Sequence, residues 1–241
     1  MSDEGIRQAR IDLAAAFRWA SRLGLSEGIC NHFSYAPDAE HFLINPRGFH
    51  WSELTASLLL LADRDGNVLE GDGEIEPTAF FIHSRVHLGL EQARCVLHTH
   101  MPYATAITIT EGGRLHMASQ NSVRFFDDIR YEDHYDGLAL DVSEGDRICE
   151  ALGDKHIAFL ANHGVIIVGE SIAKAFDDLY YLERASEVQC IAQATGRPLK
   201  LIADEVACRA RQQFEDDPLL AQGHMAAIKR ILDREEPEYA S

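Results

Sequence analysis

Long apolar runs are missing from this chain. Nothing in its 241 residues approaches the roughly 20 consecutive apolar positions that cross a bilayer. The opening Met-Ser-Asp-Glu-Gly leads into a charged amphipathic stretch rather than the apolar core of a signal peptide. No membrane partner is expected, and the cytoplasm is the expected compartment. Basic residues are also scarce: 22 Lys plus Arg stand against 39 Asp plus Glu, a formal charge of −17. Nucleic-acid binding depends on clustered cations that displace counterions from phosphates, and here the cations are scattered, so no nucleic-acid partner is expected. Paired cysteines are lacking as well. Cys30, Cys95, Cys149, Cys190 and Cys208 are odd in number and widely spaced. That pattern fits neither a disulfide framework nor a CxxC metal pair, and predicts free, mostly buried thiols in a reducing compartment. There is no Ser/Gly/Pro-rich linker, low-complexity tract or internal repeat, and the length is within reach of one core, so residues 1–241 read as a single domain.

What is present has alternating helix and strand signals. Ile6, Leu13, Phe17, Ala20 and Leu23 share one face of a helix over 3–23, stopped by Gly24. The segment 27–34 reads as a loop, too rich in small and polar residues for core. A short strand at 42–44 ends in the turn Asn45-Pro46-Arg47-Gly48. Strands over 57–62 and 67–69 flank Asp65-Gly66 as a hairpin. A helix follows over 78–88, then a buried strand over 95–100. Ser143 with Asp146 forms a capping signal for a helix through Leu152. Strands at 158–160 and 165–168 flank Asn162-His163-Gly164, and a long helix covers 172–194 before Gly196 and Pro198. The acidic segment 204–234 is helical with breaks near Pro218 and Gly223, and forms a C-terminal helical extension at about 203–234. Together these give an α/β layered domain, a mixed sheet covered by helices.

The histidines carry the chemical signal. On a strand, residues two apart project from one face, so His98 and His100 can chelate a single ion, or stand as two polar residues at an exposed strand end. His163 lies between an apolar strand and Gly164, where a glycine permits close backbone approach. By itself such a histidine is as well explained by structure as by ligation. His83 and His87 share a face of the helix 78–88. Packing and hydrogen bonding suit His87, and His83 is open.

Asn45-Pro46-Arg47-Gly48, the helix 78–88, His98-Thr99-His100, Asn162-His163-Gly164 and the long helix after them resemble, in order and spacing, the class II aldolase/adducin superfamily, over roughly residues 6–195. Ile82-His83 and Val86-His87 ahead of Val96-Leu97-His98-Thr99-His100 look closest to its adducin-like branch. The resemblance implies a three-layer α/β/α domain with a mixed, mainly antiparallel sheet. It also implies a homo-oligomer, usually a tetramer, with the active site near a subunit interface. His98, His100 and His163 match the family's ligands for one divalent metal ion, Zn2+ first, with Fe2+ or Mn2+ as alternatives. In the aldolases that metal polarises a carbonyl and stabilises an enediolate. Asn31 and the Pro46–Gly48 turn match loops that hold the substrate's phosphate.

One departure from the family pattern bears on the chemistry. The family's catalytic glutamate lies nineteen positions before the first metal histidine, and that position is Ala79. The two serines preceding it correspond to Pro77 and Thr78. Glu76 and Glu74 are nearby substitutes, and His83, one turn on, is an alternative base or fourth ligand. The expected catalytic residues are therefore Glu76 and His83. The expected substrate is small and anionic, held by Asn31, Arg47, Gly48 and Thr78, with a carboxylate favoured over a phosphate. The expected activity is a metal-dependent lyase reaction (aldolase-, decarboxylase- or epimerase-like) on a hydroxy- or keto-acid or a sugar phosphate. A non-haem iron oxygenase or decarboxylase is the enzymatic alternative, and a non-catalytic adducin-like binding module is the alternative of another class.

Overall fold

The computed structural model describes residues 2–135, 137–138, 140–217 and 219–241. Eight strands form one sheet: β1 His32–Tyr35, β2 His41–Ile44, β3 Leu60–Asp63, β4 Val68–Glu70, β5 Cys95–Thr99, β6 Ile129–Glu132, β7 Ile157–Leu160 and β8 Gly164–Gly169. Their spatial order is β4-β3-β2-β1-β5-β8-β7-β6. Every neighbouring pair is antiparallel except β6 with β7. Seven α-helices accompany them: α1 Asp3–Arg22, α2 Pro77–Gly89, α3 Pro102–Thr108, α4 Val142–Leu152, α5 Ile172–Gln193, α6 Asp204–Glu215 and α7 Leu219–Glu235. The expected mixed, mainly antiparallel α/β/α architecture is therefore present.

Alternation along the strands divides the core. Phe33, Leu43, Cys95, Leu97, Val165 and Ile167 face α1, α3, α5 and α7 in the principal cluster. Here Phe17 stacks on Phe33 at 4.8 Å between ring centroids, and Trp51 sits 4.5 Å from Phe33. Each such buried ring contributes on the order of 1.5–3 kcal/mol. The opposite face of the sheet presents Val96, Ala158, Leu160, Ile166 and Val168 to Ile82 and Val86 of α2 and to Ile148 and Leu152 of α4. Met225, Ile228 and Leu232 of α7 join the principal cluster, so the C-terminal helices pack into the body.

Helix starts follow local chemistry. Ser2 accepts from the Gly5 N–H at 3.2 Å and Asp3 and Glu4 favour the positive end of α1. Ser171 caps α5 through the Lys174 N–H. Glu76 caps α2, with Pro77 in the first turn where its missing N–H costs nothing.

Several expectations require correction. Residues 32–35 form a fully buried central strand rather than loop. Leu23 is 40% exposed and lies beyond the end of α1. Residues 57 and 58 belong to a 3-10 turn before β3. Asp141 caps α4 by accepting from the Ser143 N–H at 2.8 Å, which places Ser143 inside the helix. Gly223 lies within α7 without breaking it, and the gap between α6 and α7 includes Pro218, which lies outside the described residues. Helix α3 and edge strand β6 were not anticipated. All five cysteines are free, yet only Cys95 is buried: Cys149 and Cys190 are half-buried, and Cys30 and Cys208 are exposed. No helix among the described residues is long and apolar enough to cross a membrane.

Candidate metal centre

Strand β5 ends at the site. His98 is its penultimate residue and His100 follows it, and their rings lie 5.2 Å apart. The turn between β7 and β8 brings His163 to the same place, 4.7 Å from the His98 ring and 4.8 Å from that of His100. Asn162 adopts a left-handed backbone (φ 57°) that asparagine tolerates, and this turns the chain toward β5. Gly164 permits the approach. A Cβ there would stand 2.7 Å from the Thr99 carbonyl oxygen and 2.8 Å from the His100 ring.

Hydrogen bonds orient two of the three rings. His98 Nδ1 donates to the Val165 carbonyl at 3.0 Å, which leaves Nε2 as the bare nitrogen. His100 Nδ1 donates to the Glu27 carboxylate at 2.5 Å. His100 Nε2 is then buried with no protein partner among the described residues. One nitrogen from each of the three histidines lies within 4.8 Å of the other two. Burial holds His98 well below the usual imidazole range, reinforced by His163 and His100. His163 falls to about 4, first through burial and then through the charges of His100 and Arg147, with Glu27 opposing. Three imidazoles whose nitrogens converge on one point, two of them held neutral by burial, fit a divalent cation.

Of the other residues singled out in sequence, Asn31 contacts this cluster directly, and His83 is close enough for its charge to be felt at His98. Asn31, 2% exposed and in a left-handed conformation (φ 72°), accepts from the His100 backbone N–H through its side-chain oxygen at 3.2 Å. Arg47 is exposed, and its backbone N–H donates to the Glu74 carbonyl at 2.9 Å, tying the turn to the segment that enters α2. Gly48 takes φ 89°, and an added Cβ there would meet only open space. The Glu76 carboxylate accepts from the Ala79 N–H at 3.0 Å and from the Thr78 hydroxyl. Ala79 packs with Phe42, Ile44, Leu60 and Ala62, in an apolar setting. His83 is fully buried, and its Nδ1 meets the Ser34 hydroxyl at 2.6 Å.

Three contributors escaped the sequence reading. Glu27 carries the carboxylate that orients His100. His32 pairs with His98 across β1 and β5, and burial pushes its pKa down to about 4 against the opposing charge of Glu76. Ser34 stands two residues along the same strand. The signal was the alternation His32-Phe33-Ser34-Tyr35, polar toward α2 and aromatic toward α1.

The sequence profile described as "Class II Aldolase and Adducin N-terminal domain" matches residues 11–190. The chain belongs to the class II aldolase and adducin family. A Caulobacter vibrioides protein, named provisionally as an aldolase class 2 protein, is 36% identical over 97% of this chain and 92% of its own length. Decarboxylase NovR of Streptomyces niveus is 30% identical over 83% of this chain and 75% of its own length. The crystal structure of an aldolase II superfamily protein from Pseudomonas syringae superposes with a TM-score of 0.91 at 34% identity, covering 100% of this chain and 98% of that one. Class II aldolases generally bind a divalent metal, and the His98, His100 and His163 cluster fits one.

Proposed function

We propose that the chain is a metal-dependent enzyme of lyase type acting on a small hydroxy- or keto-acid or a sugar phosphate. His98, His100 and His163 would hold one divalent ion, with Zn2+ as the first choice. The observation that carries this reading is the buried, partnerless Nε2 of His100, backed by Glu27 and facing the imidazoles of His98 and His163. A module used only for binding has no need to converge three imidazoles and leave the His100 Nε2 buried without a protein partner among the described residues, since an unpaired buried polar group costs about 1–3 kcal/mol. When bound, the ion supplies Lewis-acid stabilisation of negative charge developing on a substrate oxygen.

The protein's own groups do the rest. Arg47 is exposed at the Pro46–Gly48 turn, where a forked guanidinium suits a carboxylate. Gly48 keeps the backbone accessible beside it and Asn31 braces His100, while the Thr78 hydroxyl at the start of α2 must leave the Glu76 carboxylate before it can donate to an anion. Glu76 has one carboxylate oxygen committed to the α2 cap, so it serves as an acid/base group less readily than His83. His83 is the better candidate to meet the reacting group, as an acceptor or base, because its Nε2 is buried and unpartnered among the described residues. Exposed Val188 and Ile191 on α5 and exposed Tyr135 support assembly into a homo-oligomer, a tetramer by family habit.

Decarboxylation is the second reading. It is favoured by the likeness to a protein named as a decarboxylase, by Ala79 in place of a glutamate, and by an all-imidazole centre that suits iron as well as zinc. One screen tests both. Protein stripped with a chelator and reloaded separately with Zn2+, Mn2+ or Fe2+ is offered hydroxy-acids, keto-acids and sugar phosphates, and aldehyde and CO2 release are followed. Metal-dependent turnover is expected, with the better metal and product separating the readings. Metal binding without turnover on any of these classes would favour the non-catalytic module.

A further inference from the structure

Helix α2 lies over β1, and between them runs a chain of hydrogen bonds with a fixed direction. Its far end is the Ala93 carbonyl, which meets His87 Nδ1 at 2.6 Å. A carbonyl only accepts, so Nδ1 of His87 carries a proton. Burial lowers His87 to about 4, which makes the ring neutral at pH 7 and its Nε2 an acceptor. That Nε2 lies 2.7 Å from the Ser34 hydroxyl, whose single proton must point at it. Having spent its proton, Ser34 Oγ can only accept at its other contact, His83 Nδ1 at 2.6 Å. Nδ1 of His83 is therefore protonated, since the alternative sets two lone pairs against each other. Burial also disfavours a second proton on His83, and the neighbouring His32 and His87 rings add to this.

The geometry points to His83 as an obligate hydrogen-bond acceptor in the substrate site, locked with a bare Nε2 by Ser34 and His87, so that the ligand atom it meets must carry a hydrogen: a hydroxyl group, not an oxyanion. Nε2 is on the ring edge away from Ser34, is buried, and has no partner among the described residues. Its ring stands edge-on to His32 at 6.1 Å, and His32 pairs with His98. Along β1, the step from Ser34 to His32 runs toward the metal cluster. Along α2, the step from His87 to His83 runs toward Glu76, whose charge is felt at His32. Both elements therefore carry the chain of bonds toward the three metal-site histidines. Ser34 and His87 act as positioning residues, since neither needs to touch the substrate. The division of labour that follows is an anion at Arg47 and a hydroxyl at His83, which favours hydroxy-acids over simple keto-acids among the proposed substrates.

The inference rests on the proposed function for its substrate, but its test does not need turnover. In zinc-loaded protein labelled with 15N-histidine, the His83 ring should show a protonated Nδ1 and an unprotonated Nε2 near pH 7. Assignment comes from the signal lost in His83→Gln. A neutral ring protonated at Nε2, or one doubly protonated, overturns the inference. Ser34→Ala should release the lock, giving a ring that exchanges between tautomers or takes the Nε2–H form. A ring that keeps its bare Nε2 in folded Ser34→Ala removes Ser34 and His87 from the account. The wild-type spectrum decides the tautomer even if that variant fails to fold. Absence of turnover with the tautomer intact would count against the proposed function alone.

Discussion

Substituting Gly164→Ala probes the junction of fold and site. The added Cβ would fall 2.7 Å from the Thr99 carbonyl oxygen, 2.8 Å from Cδ2 of His100 and 3.3 Å from its Cα. Two of these three atoms are backbone and cannot swing aside, so the start of β8 must move away from the end of β5. Overpacking of this kind costs about 1–3 kcal/mol. The displacement falls on His100 and on neighbouring His163, and disturbing the groups that hold a ligand in place typically weakens metal binding about 10–100-fold. Urea unfolding of the metal-free protein reads the first quantity, and competition with a chromophoric chelator for zinc reads the second. Gly145→Ala is the matched control. Its Cβ would meet the Phe81 carbonyl oxygen at 2.3 Å where α4 crosses α2, away from the three metal-site histidines. It should lose stability and keep its zinc affinity. A Gly164→Ala protein with wild-type stability and zinc affinity would refute the reasoning.

Arg47→Ala should raise KM strongly for the true substrate with metal content and folding unchanged, because the side chain is exposed at the turn; steady-state kinetics with elemental analysis checks this. Light scattering at micromolar concentration should report a symmetric oligomer, most simply a tetramer, and a monomer would remove that expectation. His156 supplies a pH test. Its hydrogen bond with Asp128, the largest influence, raises it above the ordinary 6.5 despite partial burial. The stabilisation is fully present below pH 6.5, where the unfolded chain also binds the proton, and is lost as pH rises through the higher folded value. His156→Gln should therefore flatten the fall in urea midpoint seen just above pH 6.5, and an unchanged profile would remove His156 as its source.

The legibility of the sequence was uneven for physical reasons. His98 and His100 were readable because strand alternation puts residues two apart on one face, and Gly164 because a glycine beside a histidine marks close approach. The hairpin at Asp65-Gly66 was readable from turn chemistry: Gly66 takes φ 85°, and Asp63 accepts from the Asp65 and Asn67 N–H groups. Strand β1 was hidden because His32 and Ser34, polar and inward-facing, look like loop until α2 supplies the histidines opposite them. Glu27 was hidden for another reason: it reaches His100 across 73 residues of chain, and no local pattern encodes such a contact. The segment 124–135, with its aromatics and charges, is partly spent inward. Arg124 pairs with Asp177 at 2.8 Å and lies 3.8 Å from the Tyr181 ring centroid, and Phe125 is buried, while Tyr135 is 47% exposed.

The central claim is the three-histidine centre, and metal stoichiometry tests it most directly. Wild-type protein and the single variants His98→Ala, His100→Ala and His163→Ala are stripped, dialysed against the same limiting zinc, and analysed for metal per chain by elemental analysis, with circular dichroism confirming the fold. One equivalent in the wild type and loss of most of it in every variant is the predicted result. A folded His98→Ala protein that still holds a full equivalent would contradict the account.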